Sequence, residues 1–233
     1  MIDIKIIAQI DDYVVINKPA GILVHKTNRK DFDEETIVDW VLENFPQAKE
    51  VGDEPEIRPG IVHRLDRDVS GVMVIALNQE TFLDIKQQFK SRNVEKEYIA
   101  LAHGEFSQPE GEINFSISRK TKSGKMAAHP DDQGREALTK YLVIETKKRY
   151  SLLKLNIETG RTNQIRVHLN AISHPIVGDF VYRPKKLKPR KGEKELKRAF
   201  LHCAKLGFYA KDSQKVTFEA ELATELDYFY KNL

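Results

Sequence analysis

The stretch RPGIVHRLDRDVSG at residues 58–71 runs directly into the stretch VMVIAL at residues 72–77. The second stretch is continuously apolar, which is typical of a short strand buried on both faces of a sheet. The first is rich in charged residues and is framed by Gly60 and Gly71, which indicates a loop. Together they predict a buried strand with a charged turn at its beginning.

The charged turn places Asp66 between Arg64 and Arg67. Neighbouring positive charges favour the ionised form of a carboxyl group, so Asp66 fits the role of a nucleophile or a base. The same residues also fit a turn without chemistry, in which Asp66 or Asp68 caps backbone amides and the arginines face solvent. From this loop alone, the second interpretation is the stronger.

The rest of the chain alternates irregularly between two hydrophobic periods. Strands are predicted at residues 13–16, 22–24, 72–77, 98–102, 137–146, 151–159, 200–209 and 215–220. Helices are predicted at residues 36–45, 80–89, 163–173 and 223–233, and exposed loops at 119–136 and 183–198. Consecutive strands with helices between only some of them favour an α+β fold over a βαβ repeat. We therefore expect a mixed, largely antiparallel central sheet flanked by helices and loops.

A second polar segment, ETGRTNQIRVHL, lies at residues 158–169. Thr162 is in a position to cap the predicted helix, which carries Arg166 about one turn further on. A helix N-terminus with nearby arginines suits the binding of an anion or the holding of a carboxylate. An amphipathic helix with Arg166 on its surface is the alternative, and in isolation it is the stronger one.

Composition and charge restrict the class of protein. The 233 residues carry a formal net charge of +3 and a single cysteine, Cys203, which excludes an internal disulfide and a cysteine-based zinc site. The chain has no apolar run near the length of about 20 residues that spans a membrane, and its N-terminus does not resemble a signal peptide. We expect a soluble, cytoplasmic protein without a membrane partner. Basic residues concentrate at 183–198, which fits either a solvated loop or a contact with a polyanion such as nucleic acid.

Several motifs, taken in order, resemble one known family. They are NKPAGILVH, HRLDRDVSG followed by VMVIAL, EKEYIALAHG, ETGRTNQIRVHL, SHPIVGD and RAFLHCAKLGF, between about residue 8 and residue 230. In this order and spacing they resemble the RluA-type family of RNA pseudouridine synthases. The resemblance implies the catalytic-domain fold of that family, and we expect residues 1–233 to form one such domain, without a separate N-terminal RNA-binding domain and as a monomer.

The resemblance also implies an activity. Members of the family convert selected uridines of structured RNA, here ribosomal or transfer RNA, to pseudouridine with no metal and no organic cofactor. It implies that Asp66 is the essential catalytic residue and that Arg166 pairs with the catalytic carboxylate. It implies that Tyr98 stacks on the target base and assists proton removal, and that Arg64 holds the gap left by the flipped nucleotide. The residues expected to contact RNA are Arg64, Arg67, His63, Arg161, Lys185, Lys186 and Lys188.

Two positions depart from the family pattern. Asn163 stands where the family commonly has His, and Phe180 stands where Pro usually follows the Gly-Asp pair. Two other functions remain open at this stage: an RNA chaperone of the same fold without catalysis, and a glycosidase or metal hydrolase that uses His63, Asp66 and His168. The sequence does not identify the modified uridine, and it does not choose between a nucleophilic and a glycal route for Asp66.

Overall fold

A computed structural model describes residues 2–26, 33–121, 123–131, 133–188 and 196–233. The chain divides into two compact units. The first contains Met1–Glu95 and Cys203–Glu221, and the second contains Lys96–His202 and Leu222–Leu233.

The first unit is a twisted sheet with helices on its faces. Its strands are β1 (Lys5–Gln9), β2 (Tyr13–Lys18), β3 (Ser70–Ala76), β10 (Leu201–Tyr209, which enters this unit at Cys203) and β11 (Lys215–Glu219). They lie in the order β1-β2-β3-β10-β11, and the pairs β1–β2, β2–β3 and β10–β11 are antiparallel. The helices are α1 (Ile37–Asn44) and α2 (Gln79–Lys90), and a short 3₁₀ helix covers Pro46–Glu50.

Strand β3 is buried along its whole length, as the apolar stretch predicts. Met73 and Ile75 belong to the cluster that contains α1, whereas Val72 and Val74 belong to the cluster that contains Ile85 of α2. Alternate residues of a strand point to opposite faces, so an apolar residue at every position allows both faces to be covered. This strand anchors the turn that precedes it.

The second unit is a separate antiparallel arrangement. Its strands are β4 (Glu95–His103), β5 (Glu110–Ile113), β6 (Ser116–Arg119), β7 (Met126–His129), β8 (Thr139–Lys147) and β9 (Tyr150–Ile157). They form the order β4-β9-β8-β5 and a two-stranded sheet β6–β7, with antiparallel pairing throughout these ladders. The helices are α3 (Gln164–Ala171) and α4 (Thr224–Lys231).

The α+β fold with a largely antiparallel sheet is confirmed, and so is the start of α1, where Thr36 and Asp39 form a reciprocal capping box. Three local predictions are wrong. Residues 22–24 form no strand, and the segment 119–136 contains strand β7 rather than only loop. Helix α3 starts at Gln164 with Asn163, not Thr162, as its N-cap residue.

The basic loop predicted at 183–198 is only partly described, because residues 189–195 lie outside the described part of the chain. Residues 183–188 form turns. Among the described residues, the structure contains no helix that is both long and apolar enough to cross a membrane.

Candidate active site

Asp66 lies half-buried in the turn that leads into β3. It lines a small cavity of about 90 Å³ together with Leu23, Val24, His25, Arg64, Leu65 and Arg67. The floor is apolar, since Val24 and Leu65 are buried, whereas Arg64 and Arg67 are exposed. The cavity therefore combines one carboxylate with two guanidinium groups at the boundary between core and solvent.

Residues of the NKPAG motif hold this turn in place through hydrogen bonds. Lys18 is fully buried, and its ammonium group donates hydrogen bonds to the carbonyl oxygens of Pro19 (2.8 Å), Val69 (3.0 Å) and Arg67 (3.2 Å). The amide of Gly21, a residue with φ +85°, donates to the carbonyl of Arg67 over 2.8 Å. A residue with a side chain is strained at such a φ, so glycine suits this position. Two motifs far apart in sequence thus form one rigid support for Asp66.

Arg67 and His63 also hold the turn. The Nε of Arg67 donates to the carbonyl of Gly21 over 3.0 Å, and its guanidinium pairs with Glu34 over 2.8 Å. That ion pair is exposed, and such pairs contribute only about 0–1 kcal/mol, so Arg67 can exchange Glu34 for a phosphate at little cost. His63 accepts a hydrogen bond at Nε2 from the amide of Val74 over 3.1 Å and stacks on Phe89.

His25 is a titratable neighbour of Asp66 in the same cavity. Burial, followed by the charges of Arg64 and Arg58, lowers the pKa of His25 below its ordinary value. The site therefore presents a neutral imidazole beside the carboxylate and the arginines near neutral pH.

Arg166, on α3, is held by a buried carboxylate. Its Nε and Nη2 donate to Asp179 over 2.7 and 2.9 Å, and its Nη1 donates to the side-chain oxygen of Asn163 over 3.0 Å. The exposed fractions of Arg166 and Asp179 are 6% and 2%. Such a bidentate pair fixes the plane of the guanidinium as well as its position.

One of the two departures from the family pattern, Asn163, belongs to this network. Asn163 has φ +55°, a conformation that asparagine tolerates better than most residues, and its Nδ2 donates to the hydroxyl of Tyr182 over 2.9 Å. The Tyr182 ring lies under the Arg166 guanidinium, 5.0 Å from Cζ to the ring centre. Asn163 therefore serves as a hydrogen-bonding partner that does not titrate.

Gln164 organises the start of α3. It is buried, its Oε1 accepts from the hydroxyl of Thr159 and the amide of Arg161, and its Nε2 donates to the carbonyl of Leu138. Arg161 itself donates from Nε to the carbonyl of Glu136 over 2.9 Å. These bonds connect the loop before the helix to the beginning of β8.

His168 is fully buried on the same helix. Its Nδ1 lies 3.0 Å from the hydroxyl of Thr139, and its Nε2 lies 2.9 Å from the carbonyl of Phe115. Because both ring nitrogens have protein partners, His168 offers no lone pair to a metal. The hydrolase that uses His63, Asp66 and His168 is therefore disfavoured.

The remaining predicted residues divide by burial. Tyr98 lies on β4, opposite Leu155 of β9, with 8% of its side chain exposed. Lys185, Lys186 and Lys188 are exposed in the turns after Pro184. Their roles stay predictions.

Sequence reasoning missed Lys18, Asp179 and Gln164 as residues that hold the predicted site residues in place. All three lie in the quoted motifs NKPAGILVH, SHPIVGD and ETGRTNQIRVHL, so their membership of a motif was the available signal. The sequence does not show that their side chains are buried.

The comparisons with known proteins agree with one another. Residues 12–171 match the family described as RNA pseudouridylate synthase. The chain is 41% identical over 181 residues to the ribosomal large subunit pseudouridine synthase D of Borreliella burgdorferi, covering 78% of this chain and 55% of that protein. It is 34% identical to the protein of the same name from Zymomonas mobilis, covering 100% of this chain and 73% of that protein.

Solved structures show the same fold. The human protein called RNA pseudouridylate synthase domain containing 4 superposes on this chain with a TM-score of 0.77 at 24% identity, covering 98% of this chain and 92% of that one. The human RNA pseudouridylate synthase domain containing 1 gives a TM-score of 0.72 at 25% identity, with coverages of 99% and 94%. The chain therefore belongs to the RluA-type family of RNA pseudouridine synthases.

Proposed function

We propose that this protein is an RNA pseudouridine synthase in which Asp66 is the catalytic residue. The observation that carries the proposal is the position of Asp66, half-buried in a cavity beside Arg64 and Arg67, on a turn that Lys18 ties down. The carboxylate is held where an RNA backbone can approach from solvent and where two cations can meet its phosphates.

The reaction breaks the bond between N1 of uracil and C1′ of ribose, forms a bond between C5 and C1′, releases the C5 proton and places a proton on N1. A stacked uridine has to leave its stack first, which costs a few kcal/mol. Bond cleavage develops positive charge on the sugar. An ionised Asp66 can stabilise that charge by one of two routes: it attacks C1′, or it removes the proton of C2′ to give a glycal.

The other roles follow from the family resemblance. Arg166 keeps the catalytic carboxylate ionised, and the rigid grip of Asp179 on its guanidinium supports a role that depends on orientation. Tyr98 stacks on the uracil and assists removal of the C5 proton. Arg64 fills the space that the flipped nucleotide vacates, which a planar guanidinium does well. Arg67, His63, Arg161, Lys185, Lys186 and Lys188 complete the RNA contacts.

Structured RNA is the proposed substrate, with ribosomal RNA as the first to test and transfer RNA as the second. The curated relatives from Borreliella burgdorferi and Zymomonas mobilis are named for the large ribosomal subunit. We propose that residues 1–233 work as one catalytic domain, as a cytoplasmic monomer, and that the reaction uses no cofactor.

A catalytically silent RNA-binding protein of the same fold is the alternative. Asp66, Tyr98, Arg64 and Arg166 are all present, so the chain lacks none of the residues that the resemblance assigns to catalysis. The presence of these four residues favours an enzyme over a catalytically silent RNA-binding protein.

Tritium release tests the proposal. The purified protein is incubated with ribosomal RNA and, separately, with transfer RNA, each carrying tritium at C5 of uridine. Asp66→Ala and a matched control from the same turn, Asp68→Asn, are measured beside it. We expect release by the wild type and by Asp68→Asn, and none by Asp66→Ala, with RNA binding retained in all three. Absence of release by the wild type from ribosomal and transfer RNA would refute the enzymatic assignment, and equal release by Asp66→Ala would refute the role of Asp66.

A further inference from the structure

A second cavity lies entirely within the second unit, between the β6–β7 hairpin and the end of α3. Its volume is about 290 Å³, near the lower end of the roughly 300–1,000 Å³ that ligand sites usually have. Val167 and Tyr182 contribute apolar and aromatic surface, and Met126 lies on the hairpin side. Neither Asp66, Tyr98 nor Arg166 lines it, so the proposed chemistry leaves this cavity without a role.

An unsatisfied acceptor marks the helix side of the cavity. Asn170 lines it, and the side-chain Oδ1 of Asn170 is buried without a hydrogen-bond partner among the described residues. Leaving such an atom unpaired costs about 1–3 kcal/mol, which a ligand with an N–H donor can recover. Because this oxygen has no hydrogen bond to lose and the terminal torsion of Asn is soft, the amide can turn toward a ligand at little cost.

The rim of the cavity is positively charged. Lys120 and Lys125 line it from the hairpin and are exposed, and the described residues around the cavity include no Asp or Glu. Lys125 also donates to the carbonyl of Val181 over 3.0 Å, which ties the hairpin to the loop that follows Asp179. A ligand that fits must therefore carry an anionic group, an N–H donor and a flat or apolar surface.

A nucleotide of RNA has all three of these properties. We propose that this cavity binds an unstacked nucleotide of the substrate RNA other than the target uridine. The phosphate of this nucleotide pairs with Lys120 and Lys125, and its base lies against the side chain of Tyr182. An N–H group on the edge of the base donates to the side-chain oxygen of Asn170. Splayed bases that stack on aromatic side chains and bond through their edges are a common way for proteins to select RNA. This inference rests on the proposed function, since it names a substrate contact of the same enzyme.

The contact also connects the cavity with Arg166. The Tyr182 ring that lines the cavity also lies under the guanidinium of Arg166, and the Tyr182 hydroxyl accepts from Asn163. A base against Tyr182 therefore stabilises the arrangement in which Arg166 is held. The cavity is expected to contribute to the choice of substrate and only weakly to the rate once RNA is bound.

Three variants and one control test the cavity. Lys120→Gln removes one rim charge, Asn170→Ala removes the acceptor, and Ala171→Trp fills the cavity from its exposed edge. Lys211→Gln is the control, because it makes the same charge change at an exposed lysine of the first unit that pairs with Glu80. Asn170→Ala improves helix propensity and Ala171 is exposed, so both variants are expected to keep the thermal midpoint of the wild type.

The probe is ribosomal RNA labelled with tritium at C5 of uridine. Filter binding at several salt concentrations gives the Kd and its salt dependence, and tritium release gives kcat and KM. We expect Asn170→Ala and Ala171→Trp to raise Kd and KM about tenfold, as the loss of one specific base contact does, with kcat little changed. Lys120→Gln should reduce the slope of log Kd against log salt by about 0.7–1, one phosphate contact.

The two proposals fail in different ways. If the wild type releases no tritium, the proposed function fails, while the binding data still decide the cavity. If the three variants bind RNA with the Kd and salt dependence of Lys211→Gln, the cavity is not an RNA site, whatever the turnover. Failure of the wild type to bind RNA at all overturns both.

Discussion

Lys18→Met is the substitution that most directly tests how the turn of Asp66 is supported. The ammonium group of Lys18 is fully buried and donates to three carbonyl oxygens, two of which, on Arg67 and Val69, belong to that turn. Methionine has a similar length but donates nothing. The Arg67 carbonyl keeps the hydrogen bond from the Gly21 amide. The carbonyls of Pro19 and Val69 lose the Lys18 donor at about 1–3 kcal/mol each, so the variant should lose at least about 2 kcal/mol of unfolding free energy. For a chain of this size that loss lowers the thermal midpoint by roughly 4–8 °C.

The same variant should lose activity beyond its loss of stability. If the turn relaxes by about 1 Å, kcat should fall by about a hundredfold, with a much smaller change in KM. Thermal unfolding followed by circular dichroism and tritium release at a temperature where the variant is folded give the two numbers. Lys5→Met is the matched control, because Lys5 is exposed on the neighbouring strand β1. If Lys18→Met matched Lys5→Met in both measurements, the support that we assign to Lys18 would be wrong.

Three further predictions concern packing and charge. Asp179→Asn removes the charged partner of the buried Arg166 guanidinium and should lower the free energy of unfolding in urea by about 3 kcal/mol. Asp227→Asn is the control, because Asp227 forms an exposed ion pair with Lys231, and it should cost less than about 0.5 kcal/mol. Gly71→Ala would bring a Cβ within 2.1 Å of the carbonyl oxygen of Cys203 at φ +123°, so a loss of at least about 3 kcal/mol or failure to fold is expected, and a stable variant would contradict that contact. Burial lowers the pKa of His168, so the unfolded chain binds a proton at this residue more readily than the folded chain does. The contribution of His168 to the free energy of unfolding is therefore complete above a pH of about 6.5, and it is lost as the pH falls toward the pKa of the folded state. Between pH 7.5 and pH 5, the free energy of unfolding measured in urea should fall less for His168→Gln than for the wild type. Equal decreases in the two proteins would refute this role of His168.

Elements with strong local signals could be predicted from the sequence. The apolar run 72–77 lies almost entirely in the fully buried β3, and Thr36 caps α1 at the start of the predicted helix 36–45, because burial on both faces and side-chain capping depend on neighbouring residues. The 22–24 segment failed as a strand. Its carbonyls at Leu23 and Val24 instead accept from the amides of Ile37 and Val38, and apolar composition alone did not reveal that choice.

The start of α3 shows a subtler failure. Thr162 has the side chain of a good N-cap, yet Asn163 occupies that position in a left-handed conformation, and its side chain bonds to Arg166 and Tyr182. The bond to Arg166 lies within the first turn of the helix, whereas the bond to Tyr182 comes from beyond the helix and is not visible in the local capping preference. Strand β7 also escaped prediction, because it lies in a stretch whose polar composition indicates only loop, although it pairs with the neighbouring strand β6.

The sequence by itself determined the family, the α+β class and the candidates for chemistry, because motif order, hydrophobic period and turn residues are local properties. Only the tertiary structure decided what holds those candidates. It revealed that Lys18 supports the turn of Asp66 and that Asp179 holds Arg166. The physical reason is burial: a charged group enters the interior only where the fold gathers enough partners to replace its water, and those partners come from distant parts of the chain.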